Sequence, residues 1–139
     1  MYEPVHALTD RYDGPRRGIA EYGGRPHRFE SEWSDGEDIF LLMPLDADTL
    51  ALALEDWAIW RRWETAFHLG ETSLETHPAL PEDRARHETL QRLLEGRLAI
   101  DPALASRATA EFRTRQDPEW SGHGWPSFEV WWSALPAGD

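Results

Sequence analysis

The chain has 139 residues, enough for one domain spanning 1–139 with a core of its own. It has no cysteine, which excludes a disulfide framework, a thiolate zinc site and a cysteine nucleophile. Its 26 acidic residues outnumber 14 basic ones, a formal charge of −12 that repels nucleic-acid phosphates and favours a basic partner or a cationic ligand.

The opening "MYEPVHALTDRYDGP" lacks the apolar run of a signal peptide. No stretch approaches the roughly 18 apolar residues of a membrane-spanning helix. The expectation is a soluble cytoplasmic protein with no membrane association. Residues 1–16 read as an irregular lead-in, with "DGP" at 13–15 as a turn. "RGIAEY" and "RPHRFESEW" flank Gly23-Gly24, a hairpin signature. In the second of these strands His27, Phe29, Ser31 and Trp33 share one face, and Arg28, Glu30 and Glu32 the other. A polar turn at 34–38 leads to "IFLLM", 39–43, a continuous apolar run expected to be a strand covered on both faces.

After Pro44, Asp46 and Asp48 offer caps for a long helix over about 47–69, with Gly70 as its stop. Pro81, Glu82 and Asp83 open a second helix whose apolar stripe is Leu90, Leu93, Leu94 and Leu98. Alternation then returns. Ala108, Ala110 and Phe112 predict one strand, and Phe128, Val130 and Trp132 its partner. The order is β-β-β-α-α-β-β, an α+β fold with two helices packed on one face of a mainly antiparallel sheet.

Eight tryptophans are far more than a chain of this length ordinarily carries, and three of them, Trp57, Trp60 and Trp63, lie in "LEDWAIWRRWETAFH". On a helical wheel they join Leu52, Ala53, Ile59 and Phe67 on one arc, opposite Glu55, Arg61, Arg62 and Thr65. Asp56 falls inside that arc and Glu64 near its edge, with Asp56, Trp60 and Glu64 along one ridge. A carboxylate turned inward must be paired, hydrogen-bonded or neutralised. Arg16, Arg17, Arg25, His27 and the indole N–H groups are the expected partners of such an acid. Two readings stand side by side: a buried structural ion pair, or a pocket whose acid holds a cation or moves a proton.

The loop "DPEWSGHGWPS", 117–127, is long for a connection between strands and sets His123 between glycines and between Trp120 and Trp125. The pairs His27/Glu30, Glu64/His68 and Asp83/His87 have ligand-like spacing but read as salt bridges or as residues on opposite strand faces. Neither a metal nor a cofactor is expected, and no catalytic set can be assigned. The candidate ligand-binding residues are His27, Asp56, Trp57, Trp60, Trp63, Glu64, Trp120, His123 and Trp125.

The stretch "YDGPRRGIAEYGGRPHRFESEW", 12–33, with the tryptophan helix after it, resembles a group of small bacterial proteins. They share a YDGPxxG turn, a G-x-PHxFE strand, a closing tryptophan and a Trp-rich helix. Tyr12 to Pro15, Gly18, Gly24, Pro26, His27, Phe29, Glu30, Trp33, Trp57, Trp60 and Trp63 carry the likeness. The resemblance brings no activity with it and implies that hairpin and helix belong to one unit. Charge, size and the lack of a catalytic set point to a small acidic binding or accessory protein, regulatory or of the immunity-inhibitor type, meeting a basic macromolecule. The alternative is a small enzyme or small-molecule binder with a tryptophan-walled pocket, using Asp56 or Glu64 with His27 or His123. A third possibility is a purely structural place in an assembly.

Overall fold

The first strand is one that the sequence conceals. β1, Glu3–Arg11, occupies the expected lead-in, because its pairing with β2, Pro15–Tyr22, slips at three places. The slips interrupt the two-residue period on either side of Ala7 and Leu8, and these two neighbours are both buried instead of alternating. Gly18 admits the close approach this requires: a Cβ there would lie 2.2 Å from the Ala7 carbonyl oxygen. The computed structural model describes residues 1–11, 13–32, 38–120 and 122–136. Tyr12, Trp33 and residues 34–37 of the predicted turn lie outside the described residues.

The chain divides into two compact units, one of residues 1–46, 98–115 and 128–139, the other of 47–97 with 116–127. The hairpin therefore falls in the first unit and the tryptophan helix in the second. In the first, the sheet expected to lie open closes on itself as a six-stranded antiparallel barrel. β2 and β3 (Arg25–Ser31) meet through the two-residue Gly23-Gly24 turn, both glycines at positive φ, as predicted. Glu3 of β1 accepts both turn N–H groups, at 3.2 and 2.8 Å. β4 (Ile39–Pro44), β5 (Ser106–Thr114) and β6 (Phe128–Ala134) follow, and Glu3↔Val130 and Pro4↔Glu129 close the ring. The unforeseen β1 supplies that closure, pairing with β2 on one side and β6 on the other.

A barrel of six strands is narrow enough for side chains to fill it. Phe29, Phe40, Phe112 and Trp132 do so, each ring within 5.6 to 5.9 Å of the other three. The Trp132 indole donates to the Glu21 carbonyl at 2.9 Å, so its polar atom is satisfied inside the apolar interior. At the level of Ser31, buried Arg16 donates to Asp38, which also accepts from the Ser31 hydroxyl at 2.7 Å. On β4 the neighbours Phe40, Leu41 and Leu42 are all buried, so this strand is covered on both faces as its apolar run required.

The second unit is built on α1, Ala47–His68, and α2, Arg84–Leu94. Gly70 ends α1 at positive φ: its N–H donates to Phe67 and that of Glu71 to Ala66, the paired bonds of a Schellman stop. Pro81–Asp83 form a single tight turn ahead of α2. The helices run antiparallel, with rungs Asp48–Arg97, Glu55–Arg86, Asp56–His87 and Arg62–Asp83. Ile59, Ala79 and Leu90 form a buried cluster with Leu52 against it. Leu94 is buried as expected, but Leu93 and Leu98 are exposed, so the stripe is narrower than the sequence suggests. Among the described residues no helix is long and apolar enough to cross a membrane.

Candidate functional site

The centre of interest in the helical unit is Glu64, not Asp56. Glu64 is only 4 % exposed, although the wheel sets it near the edge of the apolar arc. What buries it is the 116–127 segment. The Trp125 N–H donates to Glu64 Oε1 at 3.2 Å, and Arg61 Nη1 donates to the same oxygen at 3.1 Å. The same Arg61 nitrogen donates to the Trp125 carbonyl at 2.6 Å, so the guanidinium clasps the segment to α1. Gly124, at φ +82°, lies against the carboxylate so closely that a Cβ would come 2.1 Å from Oε1. Its glycine therefore serves the fit onto Glu64, by admitting both the left-handed backbone and the contact. Burial pushes the Glu64 carboxyl above its ordinary value, opposed by the Trp125 N–H, Arg61 and His68.

Aromatic rings frame this acid. Trp57 and Trp60, three residues apart on α1, stack at 5.0 Å with 18° between their planes. Trp125 tilts onto Trp60 at 5.3 Å, and the Arg61 guanidinium lies 5.7 Å from the Trp57 ring. Arg61, assigned by the wheel to the solvent side, is thus turned toward the segment by its three contacts. A wheel built from α1 alone has no means of registering residues 116–127. The sequence signals that were available are the i, i+3 relation of Arg61 to Glu64 and its i, i+4 relation to Trp57.

Asp56 occupies a second, separate cluster. It is half-buried, and its partners come from α2: His87 Nδ1 donates to Oδ1 at 2.6 Å and the Gln91 amide to Oδ2 at 2.8 Å. The expected partners Arg16, Arg17, Arg25 and His27 all belong to the barrel unit, where each makes other contacts. Arg17 pairs with Glu30, and His27 Nδ1 donates to the Arg25 carbonyl at 2.8 Å with Tyr22 edge-on to its ring. Asp83, expected beside His87, pairs with Arg62. His87 and Gln91 were not foreseen because an apolar stripe on α2 says nothing of which acid lies opposite.

The remaining candidates separate further. Trp63 is buried structure: its N–H donates to Thr76 at 2.9 Å, and its ring stacks on Phe67 and meets His77 edge-on. His123 is half-buried beside Gly124, while Trp120 is exposed. The helical unit therefore gathers Trp57, Trp60, Glu64 and Trp125 of the predicted set into one site and adds Arg61 and Gly124 to it. Among the described residues no group of three or more His, Asp and Glu side chains is placed to hold a metal ion. The chain matches no protein-family model, no curated protein and no solved structure.

Proposed function

We propose that this is a small acidic binding protein that acts by contact with a basic macromolecular partner, as a regulatory module or an immunity-type inhibitor. One observation carries the reading. Glu71, Glu75, Glu82, Glu88 and Glu95 are all exposed, and among the described residues none has an ion-pair partner. Of the arginines that share this region, Arg62, Arg86 and Arg97 are engaged across the helical hairpin by Asp83, Glu55 and Asp48, while among the described residues Arg84 and Arg92 donate only to Thr76 and Thr89. The acids that sequence spacing singled out are held by structural partners, whereas these five outnumber Arg84 and Arg92, the arginines of the region with no ion-pair partner among the described residues. Added to a net charge of −12, they favour fast, electrostatically steered association with a positive surface. Affinity for basic proteins of differing fold, measured across a salt series from roughly 0.05 to 0.5 M, tests this. Steep weakening with salt is expected, and affinity indifferent to salt sinks the proposal.

A second reading has its own support in Glu64, a buried acid of raised pKa among indole rings, which is the environment of a small-molecule or proton-transfer site. Thermal-shift screening against uncharged and cationic small molecules separates the two. A hit lost in Glu64→Gln favours this second reading over the first.

A further inference from the structure

We infer that the aromatic and acidic cluster around Glu64 is a guanidinium site that the chain fills with its own Arg61, and that an arginine of the basic partner takes it over. This rests on the proposed function and names the side chain that would dock. The chemistry of the site is that of arginine recognition: an indole face 5.7 Å from the guanidinium carbon, a buried carboxylate and a backbone carbonyl. The present occupant is poorly matched to it. Arg61 reaches Glu64 Oε1 and the Trp125 carbonyl with the single nitrogen Nη1, and among the described residues its Nε and Nη2 make no hydrogen bond.

The cause is its tether. From three residues earlier on the same helix, Arg61 meets the carboxylate through one nitrogen and cannot lay its fork along both oxygens. An arginine arriving from outside has no such constraint and can form the two parallel N–H···O bonds of a fork-to-fork pair. The exchange leaves no buried charge unpaired, because one guanidinium replaces another over Glu64. The entrance lies where Arg61 now sits, its side chain 26 % exposed against 6 % for that of Glu64. Once displaced, Arg61 can extend into water from the exposed side of α1. A lysine ammonium, a compact point charge, gains neither the fork nor the planar stacking on Trp57.

The test titrates the full chain with an arginine octapeptide, a lysine octapeptide and a capped single arginine, read by tryptophan fluorescence and calorimetry. The expected result is about tenfold tighter binding of the arginine peptide than of the lysine peptide, the difference one charge-assisted hydrogen bond makes. In Arg61→Ala the arginine probes should bind more tightly still, because the internal competitor is gone. In Glu64→Gln the preference for arginine over lysine should vanish while salt-dependent binding of both persists. Saturation by the capped arginine at the concentration of the peptide also supports the site and identifies its ligand as a small molecule. Equal affinity for the two peptides overturns this inference and leaves the basic-partner reading standing, whereas binding of neither overturns both. An Arg61→Ala chain no better at binding arginine also overturns it. Should Glu64→Gln fail to fold, the peptide comparison on the unaltered chain still decides.

Discussion

The barrel and the helical unit solve the same problem, ordering about half a chain each, with opposite materials. The barrel interior is mainly hydrocarbon: four rings in mutual contact, with one indole N–H given to a main-chain carbonyl and buried Arg16 and Ser31 hydrogen-bonded to Asp38 at one level. The helical unit has a small apolar cluster and is held largely by polar rungs, two between α1 and α2 and two from α1 to the residues flanking α2, with a buried carboxylate at the clasp. Apolar filling is non-directional and strong, so it suits a scaffold. Paired charges contribute less but can exchange partners, which is what a binding surface needs. Under the proposed function, the barrel is the scaffold and the helical unit the part that meets the partner.

Substitutions can break this contrast, and the largest effect should come from the barrel. Phe29→Ala removes a ring that touches three others and should cost about 3–5 kcal/mol, read as a lowered denaturant midpoint. Gly18→Ala comes next at about 1–3 kcal/mol, since its new methyl meets main-chain oxygen that cannot swing aside. Gly124→Ala should cost about 1–2 kcal/mol, for a left-handed backbone and a displaced Glu64, with a tryptophan emission shift as the 116–127 segment lifts. If Gly124→Ala proved costlier than Phe29→Ala, the helical unit and not the barrel would be the rigid part.

The pH dependence sharpens the same contrast. Burial raises the Glu64 pKa above its unfolded value, so the folded chain holds that proton more tightly. Stability from this source is complete below the unfolded carboxylate range and is lost as pH rises through the raised value. Stability of the unaltered chain relative to Glu64→Gln should therefore fall as pH rises from about 4; a difference that stays flat or rises would contradict the desolvation of Glu64. The smallest effect belongs to the exposed rung Glu55–Arg86. Its hydrogen bond holds Glu55 below the ordinary carboxylate range, yet Glu55→Gln should leave the unfolding midpoint unchanged, since water competes for both ends.

Local pattern carried much of the fold. The Gly23-Gly24 hairpin, the doubly covered β4, the extent of α1, the Gly70 stop and the last two strands all follow from turn chemistry and period. Barrel closure was not legible, because it depends on β1, whose register slips and whose buried neighbours Ala7 and Leu8 leave no alternating pattern to read. For the site, Trp57, Trp60 and Glu64 could be read as a group, but the wheel sets Asp56 further inward than Glu64, the reverse of what burial shows. The wheel measures inwardness within one helix, and the burial of Glu64 comes from a segment about sixty residues downstream. Arg61 was missed for the same reason.

The near-parallel indoles of Trp57 and Trp60 have one more consequence. Two chromophores held face to face at that spacing share their excitations, and the chiral helix beneath them gives the coupled transitions opposite rotational strengths. The chain should therefore show a paired positive and negative band in circular dichroism near the strong indole absorption, superposed on the helical signal. Occupation of the neighbouring acidic site would change that couplet without any dye or label attached.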